Sequence, residues 1–371
     1  MNRIIATVAF TALLVGATSA LPIPAISAVD GLDLSGDFRL RHESTFVETG
    51  RDRHRERVRA RIGATYSIND EITLGARLVT GNTDDPNSSH QTFGSSFNDW
   101  DVALDRAWIG WKPAAAEGLS ITAGKFSHVL KNYAVYNELV WDGDVQPEGI
   151  ALVYSAGSLG KLDNVRAAVT TYILNENGNG NEVTAVTAGV SASTTVGQAA
   201  VKAALNYYHY SDLTPGGDQT VFADNSGNRT DMAGNDFLSD FDIINPSFSV
   251  SCDHNGLPVT MSGEFIANTG AEPDEDYGWS LGVKAGSKNE VGDMQGYYQW
   301  QVVGQDAVLS VVSQDDMTVQ TNLRAHIVGL HYKAFDNVDV HPWLLVSRAD
   351  DALGSPNDDD WRARLDINVK F

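Results

Sequence analysis

The last eleven residues of the chain read Trp361-Arg-Ala-Arg-Leu-Asp-Ile-Asn-Val-Lys-Phe371. Alternate positions from Trp361 to Phe371 are all apolar, and the positions between them are all polar or charged. A period of two is typical of a β-strand with one apolar face and one hydrophilic face. The segment also has the roughly 9–11 residues that a strand needs to cross a bilayer. This stretch therefore predicts a membrane-spanning strand with lipid on one side and water on the other.

The same alternation recurs near the beginning of the chain, in residues 35–46, 54–68 and 71–80. In the second of these segments arginine occupies every other position from 55 to 61, while Val58, Ala60 and Ile62 occupy the opposite face. Continuing along the chain in this way gives about 16 strands, an even number as expected for bacterial barrels.

The connections between these segments alternate in length. Short turns, such as residues 69–70 and 336–337, alternate with long connections, such as residues 81–99, 127–148 and 304–320. Short turns at one end and long loops at the other are the layout of outer-membrane barrels. The sequence therefore predicts an all-β fold, a transmembrane antiparallel β-barrel of about 16 strands with short periplasmic turns and long extracellular loops. A soluble sandwich of that many strands would need two domains, and the sequence shows no low-complexity linker.

The first 28 residues have the order of a secretory signal peptide. Arg3 supplies a positive charge, an apolar run follows from residue 4 to residue 15, and small residues come next. The run is too short for a membrane-spanning helix, which needs about 20 apolar residues. We predict a signal peptide over residues 1–28, cleaved after Ala20 or Ala28, and a single barrel over residues 29–371. The predicted location is the outer membrane of a Gram-negative bacterium.

Charge and cysteine content exclude several classes of function. The net charge of −22 argues against nucleic acid as a partner, because binding to phosphates needs a basic excess. The single cysteine, Cys252, can form neither an internal disulfide nor a cysteine-based metal site. The histidines are scattered, and the sequence contains no assignable catalytic triad, no His-Glu-x-x-His motif and no phosphate-binding glycine loop. We expect no cofactor, no metal and no catalytic residues.

Closure of a barrel places the last strand beside the first, which brings arginines from neighbouring strands together. Charge on the lipid face would cost about 2–4 kcal/mol per arginine at the bilayer midplane, so these side chains are expected to face the lumen. We call the predicted set the arginine wall: Arg39, Arg41, Arg55, Arg57, Arg59, Arg61, Arg77, Arg362 and Arg364. Asp37, Glu43 and Asp366 lie on the same faces and are expected to pair with some of the arginines, while the remaining arginines face water.

Three stretches of the sequence resemble the putative porin family of Gram-negative outer membranes, which is related to the general diffusion porins. They are Ala-Trp-Ile-Gly-Trp-Lys at residues 107–112, Ala-Gly-Lys-Phe at residues 123–126 and Trp-Asp-Gly-Asp-Val-Gln-Pro-Glu-Gly at residues 141–149. The resemblance runs across essentially the whole mature chain. The terminal strand ending at Phe371 matches the assembly signal common to outer-membrane barrels, which implies the barrel assembly machinery as a partner.

The resemblance further implies that the third long connection, residues 127–148, folds into the lumen as a constriction loop. Its acidic residues are Glu138, Asp142, Asp144 and Glu148. An acidic loop opposite the arginine wall would create a transverse field at the narrowest point, where charge and diameter decide which solutes pass. A homotrimer is also implied. Two questions stay open at this point: whether the arginines select solutes or anchor the loop, and whether anions or cations pass more readily.

The function predicted from these features is that of a porin, a water-filled channel for passive diffusion of ions and small hydrophilic solutes. Its other expected partners are outer-membrane lipid and lipopolysaccharide. The alternatives are an outer-membrane barrel enzyme and a plugged structural barrel. A barrel of about 16 strands normally encloses an aqueous channel, and no plug-sized domain precedes the first predicted strand, so the channel is favoured.

Overall fold

The structure is a computed structural model that describes residues 29–48, 50–81, 85–94, 96–176, 182–213, 225–232, 236–271, 275–349 and 359–371. The predicted signal peptide and both of its candidate cleavage sites lie outside the described residues. Within these ranges, no helix has the length and the apolar character needed to cross a membrane.

The described residues form sixteen long strands and one short strand, β4. Their bounds are β1 Leu32–Phe46, β2 Arg53–Ser67, β3 Ile72–Thr80, β4 Gln91–Thr92, β5 Val102–Trp111, β6 Leu119–Lys125, β7 Glu148–Leu159, β8 Leu162–Asn175, β9 Val183–Val196, β10 Ala199–Ser211, β11 Asp242–His254, β12 Leu257–Asn268, β13 Tyr277–Gly286, β14 Met294–Val303, β15 Leu323–Phe335, β16 Val338–Ala349 and β17 Asp360–Lys370. One turn of 3₁₀ helix, Ser310–Val312, is also present.

The sixteen long strands close into one antiparallel barrel. Each pairs with its neighbour along the chain, and β17 returns to pair with β1 in the register that sets Arg41 opposite Asp366. The final residue completes this seam, because Phe371 exchanges backbone hydrogen bonds with Gly36 at 2.9 and 3.1 Å. Among the described strands closure leaves no unpaired sheet edge, and an unpaired edge would be unfavourable in a bilayer. The predicted all-β barrel of about 16 strands is confirmed.

The connections alternate between short turns and long loops as the sequence predicts. The turn between β11 and β12, for example, is Asn255-Gly256, and both residues have a positive φ, as a tight hairpin of this type requires. We number the loops at the other end from the loop that follows β1. Three are used below: loop 2 (residues 81–101), loop 3 (126–147) and loop 7 (304–322). Loop 3 thus differs from the predicted constriction loop, 127–148, by one residue at each end.

The two faces of each strand differ as the alternating sequence requires. Large apolar side chains such as Phe38, Ile62 and Phe248 are exposed on the outside of the barrel. The positions between them turn inward and carry the arginines and most of the buried polar side chains. The barrel therefore presents an apolar belt outward and a charged surface to its lumen.

An apolar core lies inside the barrel rather than between two sheets. Leu139 and Trp141 of loop 3 pack with Leu309 and Val312 of loop 7 against inward side chains of β8 to β16, among them Ile327. These loops fill one side of the lumen. The open space lies along the opposite wall, which is formed by β17, β1 and β2.

One close contact on the lumen face gives a prediction about stability. The ring of Trp108 on β5 lies directly over Gly75 on β3, and a Cβ at position 75 would overlap the ring. We expect Gly75→Ala to destabilise the barrel by about 1–3 kcal/mol, the usual range for overpacking. The temperature at which the folded, fast-migrating band disappears in detergent gels measures the change.

Gly63→Ala on the adjacent strand β2 is the matched control. A Cβ at Gly63 would meet its nearest neighbour, Ser35 Oγ, at 3.4 Å, which is an ordinary contact. Alanine in a strand is otherwise slightly more favourable than glycine, by about 0.5–1 kcal/mol, so this variant should be as stable as the parent or slightly more so. Equal thermal stability of Gly75→Ala and Gly63→Ala would show that the contact between Trp108 and Gly75 does not limit packing.

Candidate functional site

The lumen contains a cavity of about 640 Å³ that we call the inner vestibule. It reaches the short-turn end of the barrel, where Lys288 and Asn337 line it. Towards the long loops it is bounded by Asn87 of loop 2, Glu138 of loop 3 and Asp316 of loop 7. Strands β1, β2 and β14 to β17 form the remaining wall.

Loop 3 enters the lumen because its apolar side chains need to be buried. Leu139, Val140 and Trp141 are all less than a tenth exposed. The Tyr136 N–H donates to Gln299 Oε1 at 2.8 Å, which fixes the loop to the inner face of β14. The Asp144 N–H donates to Asp142 Oδ1 at 2.7 Å, a local turn that directs the Asp144 side chain towards β2.

Loop 7 is the second loop that folds inward, and its position was not anticipated from the sequence. The run Ala307-Val-Leu-Ser-Val-Val312 is entirely buried. The carbonyl of Val312 accepts from the Asp142 N–H at 2.8 Å, and the carbonyl of Ser313 accepts from Asn87 Nδ2 at 2.6 Å. Loop 7 therefore ties loops 2 and 3 together in the centre of the barrel.

The structure places all nine residues of the arginine wall on the lumen side of their strands, but they do not form one continuous charged surface. Arg41 binds Asp366 through two hydrogen bonds of 2.7 and 2.9 Å, across the seam between β1 and β17. Arg39 Nε donates to Asn368 Oδ1 at 2.6 Å. Since Arg41 is only 3 % exposed, its charge is largely compensated within the wall.

Arg59 and Arg61 reach the tip of loop 3. Arg59 Nη2 and Arg61 Nε donate to the two oxygens of Asp37 at 3.0 and 2.7 Å. Both arginines also contact Asp144, with Nη1 to oxygen distances of 3.4 and 3.1 Å. We call this meeting of Asp144 with Arg59 and Arg61 the constriction contact. Ser89 of loop 2 adds a hydrogen bond to Asp144 at 3.3 Å.

The two arginines of β17 hold loop 7. Arg362 Nη1 donates to the carbonyls of Asp315 and Asp316 at 3.2 and 2.6 Å. Arg364 donates to Glu43 Oε2 at 2.7 Å, bonds the Asp316 carboxylate and lies 4.8 Å from the centre of the Trp343 ring. These arginines anchor a loop, which is one of the two roles left open by the sequence.

The remaining three predicted arginines lie away from the constriction contact. Arg55 bonds Glu43, and Arg77 bonds Asp105 of β5. Arg57 Nη2 donates to Ser88 Oγ of loop 2 at 2.9 Å. They pair with polar groups of the wall and of loop 2, so few arginines of the wall have charges left for solvent.

Glu148 also lies elsewhere than the constriction. It is the first residue of β7, it pairs with Lys125 at 3.0 Å, and it lines a second cavity of about 510 Å³ at the long-loop end, which we call the outer vestibule. Glu148 lies away from the constriction because loop 3 ends at residue 147 and Glu148 already belongs to β7. Asp144 and Ser88 line both vestibules, so the two cavities approach each other at Asp144.

Three other carboxylates of loops 3 and 7, those of Glu138, Asp142 and Asp315, have no arginine partner in a direct ion pair among the described residues. Burial, together with the negative charges of Asp316 and Asp144, raises the pKa of Glu138 to about 8. Burial and the charge of Asp316 raise the pKa of Asp315 to about 7. Burial also raises the pKa of Asp142. By contrast, Arg59 and Arg61 outweigh the effect of burial on Asp144 and hold its pKa below the usual value.

Comparison with families of known proteins assigns this chain to a family. The family profile described as "Putative porin" matches residues 17–240, more than half of the chain. The chain belongs to the putative porin family. A comparison with curated proteins found no match.

Solved outer-membrane porins share the fold of this family member. The high-pH structure of OprB from Pseudomonas putida superposes with a TM-score of 0.63 at 13% identity, covering 92% of this chain and 94% of that chain. OmpF of Salmonella typhi in complex with daunomycin gives 0.54 at 17% identity, covering 92% and 97%. OmpT of Vibrio cholerae in its trimer form gives 0.50 at 12% identity, covering 92% and 100%. At these identities the likeness shows a porin-type barrel and no more.

Within this porin family member, sequence reasoning missed Asp315 and Asp316 as part of the lumen lining. The signal that could have found them is the apolar run at residues 307–312. A loop exposed to water is normally polar, so an apolar run within a long loop indicates burial. The only inward destination for a loop of a closed barrel is its lumen. Among the described residues no group of three or more histidine, cysteine or acidic side chains could hold a metal ion.

The raised pKa values of Glu138 and Asp315 predict that ion selectivity depends on pH. Both carboxyl groups are neutral below about pH 6; Asp315 ionises as the pH passes about 7 and Glu138 as it passes about 8, so a rise in pH adds negative charge to the lumen. We expect the ratio of potassium to chloride permeability, from reversal potentials in a salt gradient, to increase between about pH 6 and pH 9. The Glu138→Gln, Asp315→Asn double variant should lose most of this increase. A parent ratio that stays constant over the range would contradict the prediction.

Proposed function

We propose that this protein is an outer-membrane porin that forms a water-filled channel for passive diffusion of ions and small hydrophilic solutes. The observation that supports this most is the pair of vestibules that approach each other from opposite ends of the barrel at Asp144. A path of this kind, with charged side chains at its narrowest point, separates solutes by size and by charge.

In this proposal the residues at the constriction contact have the most direct influence on solutes. Asp144, Arg59 and Arg61 present fixed charges to anything that crosses between the vestibules. Arg362 and Arg364 act indirectly, because they position loop 7. We further propose that the protein is a channel without catalytic activity, in keeping with the family to which it belongs.

The proposed setting is the outer membrane of a Gram-negative bacterium, with the short turns in the periplasm and the long loops outside. Residues 1–28 would direct export and be removed. The strand that ends at Phe371 would be recognised by the barrel assembly machinery, and the apolar outer belt would contact lipid and the acyl chains of lipopolysaccharide. A homotrimer is proposed because a solved structure of the same fold is described as a trimer.

A plugged barrel is the second candidate, and one specific observation favours it. Loops 3 and 7 fill one side of the lumen and are bonded to each other, to β14 and to β17. If the constriction contact closes the remaining space, the protein would serve as a structural barrel of the outer membrane instead of a channel.

Swelling of proteoliposomes distinguishes the two candidates. Vesicles that contain the folded protein are diluted into isotonic solutions of arabinose, sucrose or raffinose. A porin of this kind should give swelling that is fastest for arabinose and slowest for raffinose, because the constriction admits small solutes more readily. Vesicles that contain correctly folded barrel and yet do not swell in arabinose would overturn the porin proposal and favour the plugged barrel.

A further inference from the structure

Four lysine side chains converge on one side of the lumen at its short-turn end. Lys284 lies near the end of β13, Lys288 in the turn that follows it, Lys333 near the end of β15 and Lys370 at the end of β17. The alternation of faces turns Lys284, Lys333 and Lys370 inward. Lys288, Lys333 and Lys370 line the inner vestibule. We call these four residues the lysine cluster.

Backbone hydrogen bonds hold the segments of the lysine cluster together. The Gly292 N–H donates to the Lys333 carbonyl at 2.8 Å, and the Lys333 N–H donates to the Asp293 carbonyl at 3.0 Å. These bonds fold the turn that carries Lys288 against the end of β15. The Lys370 N–H donates to the Asn337 carbonyl at 2.9 Å, which ties the end of β17 to the turn between β15 and β16.

The lysine cluster forms no direct ion pair with a carboxylate of the described residues. No carboxylate oxygen in the described ranges lies within 4.0 Å of any of the four ammonium groups, whereas most of the arginine wall is paired at shorter distances. Asp339, which faces Lys333 in the register of β15 and β16, accepts a hydrogen bond from His331 at 2.9 Å instead. Asp293 accepts from the backbone N–H groups of Asn289 and Glu290.

The four charges act on one another. Burial lowers the pKa of Lys288, and the charges of Lys370, Lys284 and Lys333 lower it further, while Asp339 opposes the shift. A group of like charges that repel one another and lack partners is stabilised by any anion that enters between them. The side-chain amides of Asn289, Asn337 and Asn368 line the same space and add neutral hydrogen-bond donors.

The lining of the outer vestibule is acidic, in contrast to the lysine cluster. Its charged lining within the described residues consists of one lysine and five carboxylates, namely Lys125, Asp85, Asp105, Asp144, Glu148 and Glu176. Some of these carboxylates are paired, as Glu148 is with Lys125, but the sum is acidic. An anion is therefore repelled at the long-loop end and attracted at the short-turn end, so it reaches the lysine cluster from the short-turn end.

We propose that the lysine cluster is a binding site for small polyvalent phosphate anions, which enter the inner vestibule from the short-turn end and obstruct the path to the constriction contact. Lysine ammonium groups are common binders of phosphate, and a cavity of about 640 Å³ is of the size that holds small ligands. The proposal rests on the proposed channel function for its effect on transport, but the binding itself does not require conduction.

Single-channel recording with inorganic pyrophosphate tests the effect on transport. The anion is added first to one side of each open channel and, after washing, to the other side, at low salt where screening is weak. The expected result is a reduction of current from one side alone in each channel, whichever way the channel inserted. The Lys333→Gln, Lys370→Gln double variant should need roughly tenfold more pyrophosphate for the same reduction, which corresponds to ~1.4 kcal/mol.

The Lys112→Gln, Lys161→Gln double variant is the matched control. Both lysines lie in exposed short turns at the same end of the barrel, and neither lines a vestibule. This variant should respond to pyrophosphate like the parent. Equal reduction of current from both sides, or equal sensitivity of the two double variants, would overturn the proposed site.

Calorimetric titration of the folded protein with pyrophosphate separates failure of the site from failure of the channel. Binding that is weakened by Lys333→Gln, Lys370→Gln supports the site even if the protein never conducts, in which case the proposed channel function alone fails. A conducting protein that binds no pyrophosphate would overturn the site and leave the channel function intact.

Discussion

Asp144→Asn is expected to lower the ratio of potassium to chloride permeability several-fold. Asp144 is the loop 3 carboxylate that lies against both Arg59 and Arg61, where the two vestibules approach each other. Without its charge these two arginines share Asp37 alone, so the narrowest point gains one net positive charge. A unit charge changes the energy of a monovalent ion ~5 Å away by about 0.8 kcal/mol in water. This energy corresponds to a Boltzmann factor of about 4 for each ion. An added positive charge disfavours the cation and favours the anion. Reversal potentials in a low-salt gradient measure the ratio.

Glu148→Gln is the matched control for this prediction. It removes the same charge from a carboxylate of the outer vestibule that is paired with Lys125, at a distance from the narrowest point. We expect a much smaller change in the permeability ratio. If both variants shift the ratio equally, ion selectivity is set by the total charge of the lumen and the constriction contact has no special role.

Arg364→Met is expected to release loop 7 from the wall of the barrel. The Arg364 side chain is about 1 % exposed and is bonded to Glu43 and to Asp316. Its loss leaves the buried Asp316 carboxylate without its direct ion-pair partner, although the Tyr136 hydroxyl still donates to it at 2.9 Å. Removing one partner of a buried ion pair typically costs ~3–5 kcal/mol. We expect a lower melting temperature in detergent, new proteolytic cleavage within residues 304–322, and larger current fluctuations in single channels.

Arg348→Met tests whether these effects come from the buried anchor. Arg348 pairs with Asp359 at 2.9 Å, with both side chains more than two-fifths exposed. An exposed ion pair of this kind stabilises a protein by about 0–1 kcal/mol. The melting temperature, the proteolytic pattern and the current fluctuations should therefore stay near those of the parent. A loop 7 that is equally resistant to protease in Arg364→Met and in the parent would show that its apolar core alone holds it in place.

The barrel itself could be predicted because two patterns that identify it can be read directly from the sequence. A period of two in residues 361–371 identifies a strand, and the alternation of short and long connections identifies the two ends of the barrel. The inward direction of the arginines follows from the cost of charge in lipid. The strand boundaries agree with the prediction within a few residues, as for β1, predicted from residue 35 and observed from Leu32.

The ion pairs within the lumen could not be predicted in the same way, because they depend on the register between strands and on where the loops fold. Arg41 meets Asp366 because β17 closes onto β1 in one particular register. Arg364 meets Asp316 because loop 7 folds inward, which no period of two can indicate. The prediction that the arginines not paired with Asp37, Glu43 or Asp366 face water did not include the partners that loops 2, 3 and 7 supply. Glu148 was assigned to the constriction for a related reason, because the loop ends one residue earlier than predicted.

Single-channel conductance of the purified, refolded protein in a planar bilayer tests the central claim most directly. If the inner and outer vestibules form one path through the constriction contact, the protein should give stable, long-lived current steps whose size increases nearly in proportion to the salt concentration. Correctly folded barrel, recognised by its heat-modifiable migration in gels, that gives no steps at all would contradict the account, because loops 3 and 7 would then plug the lumen.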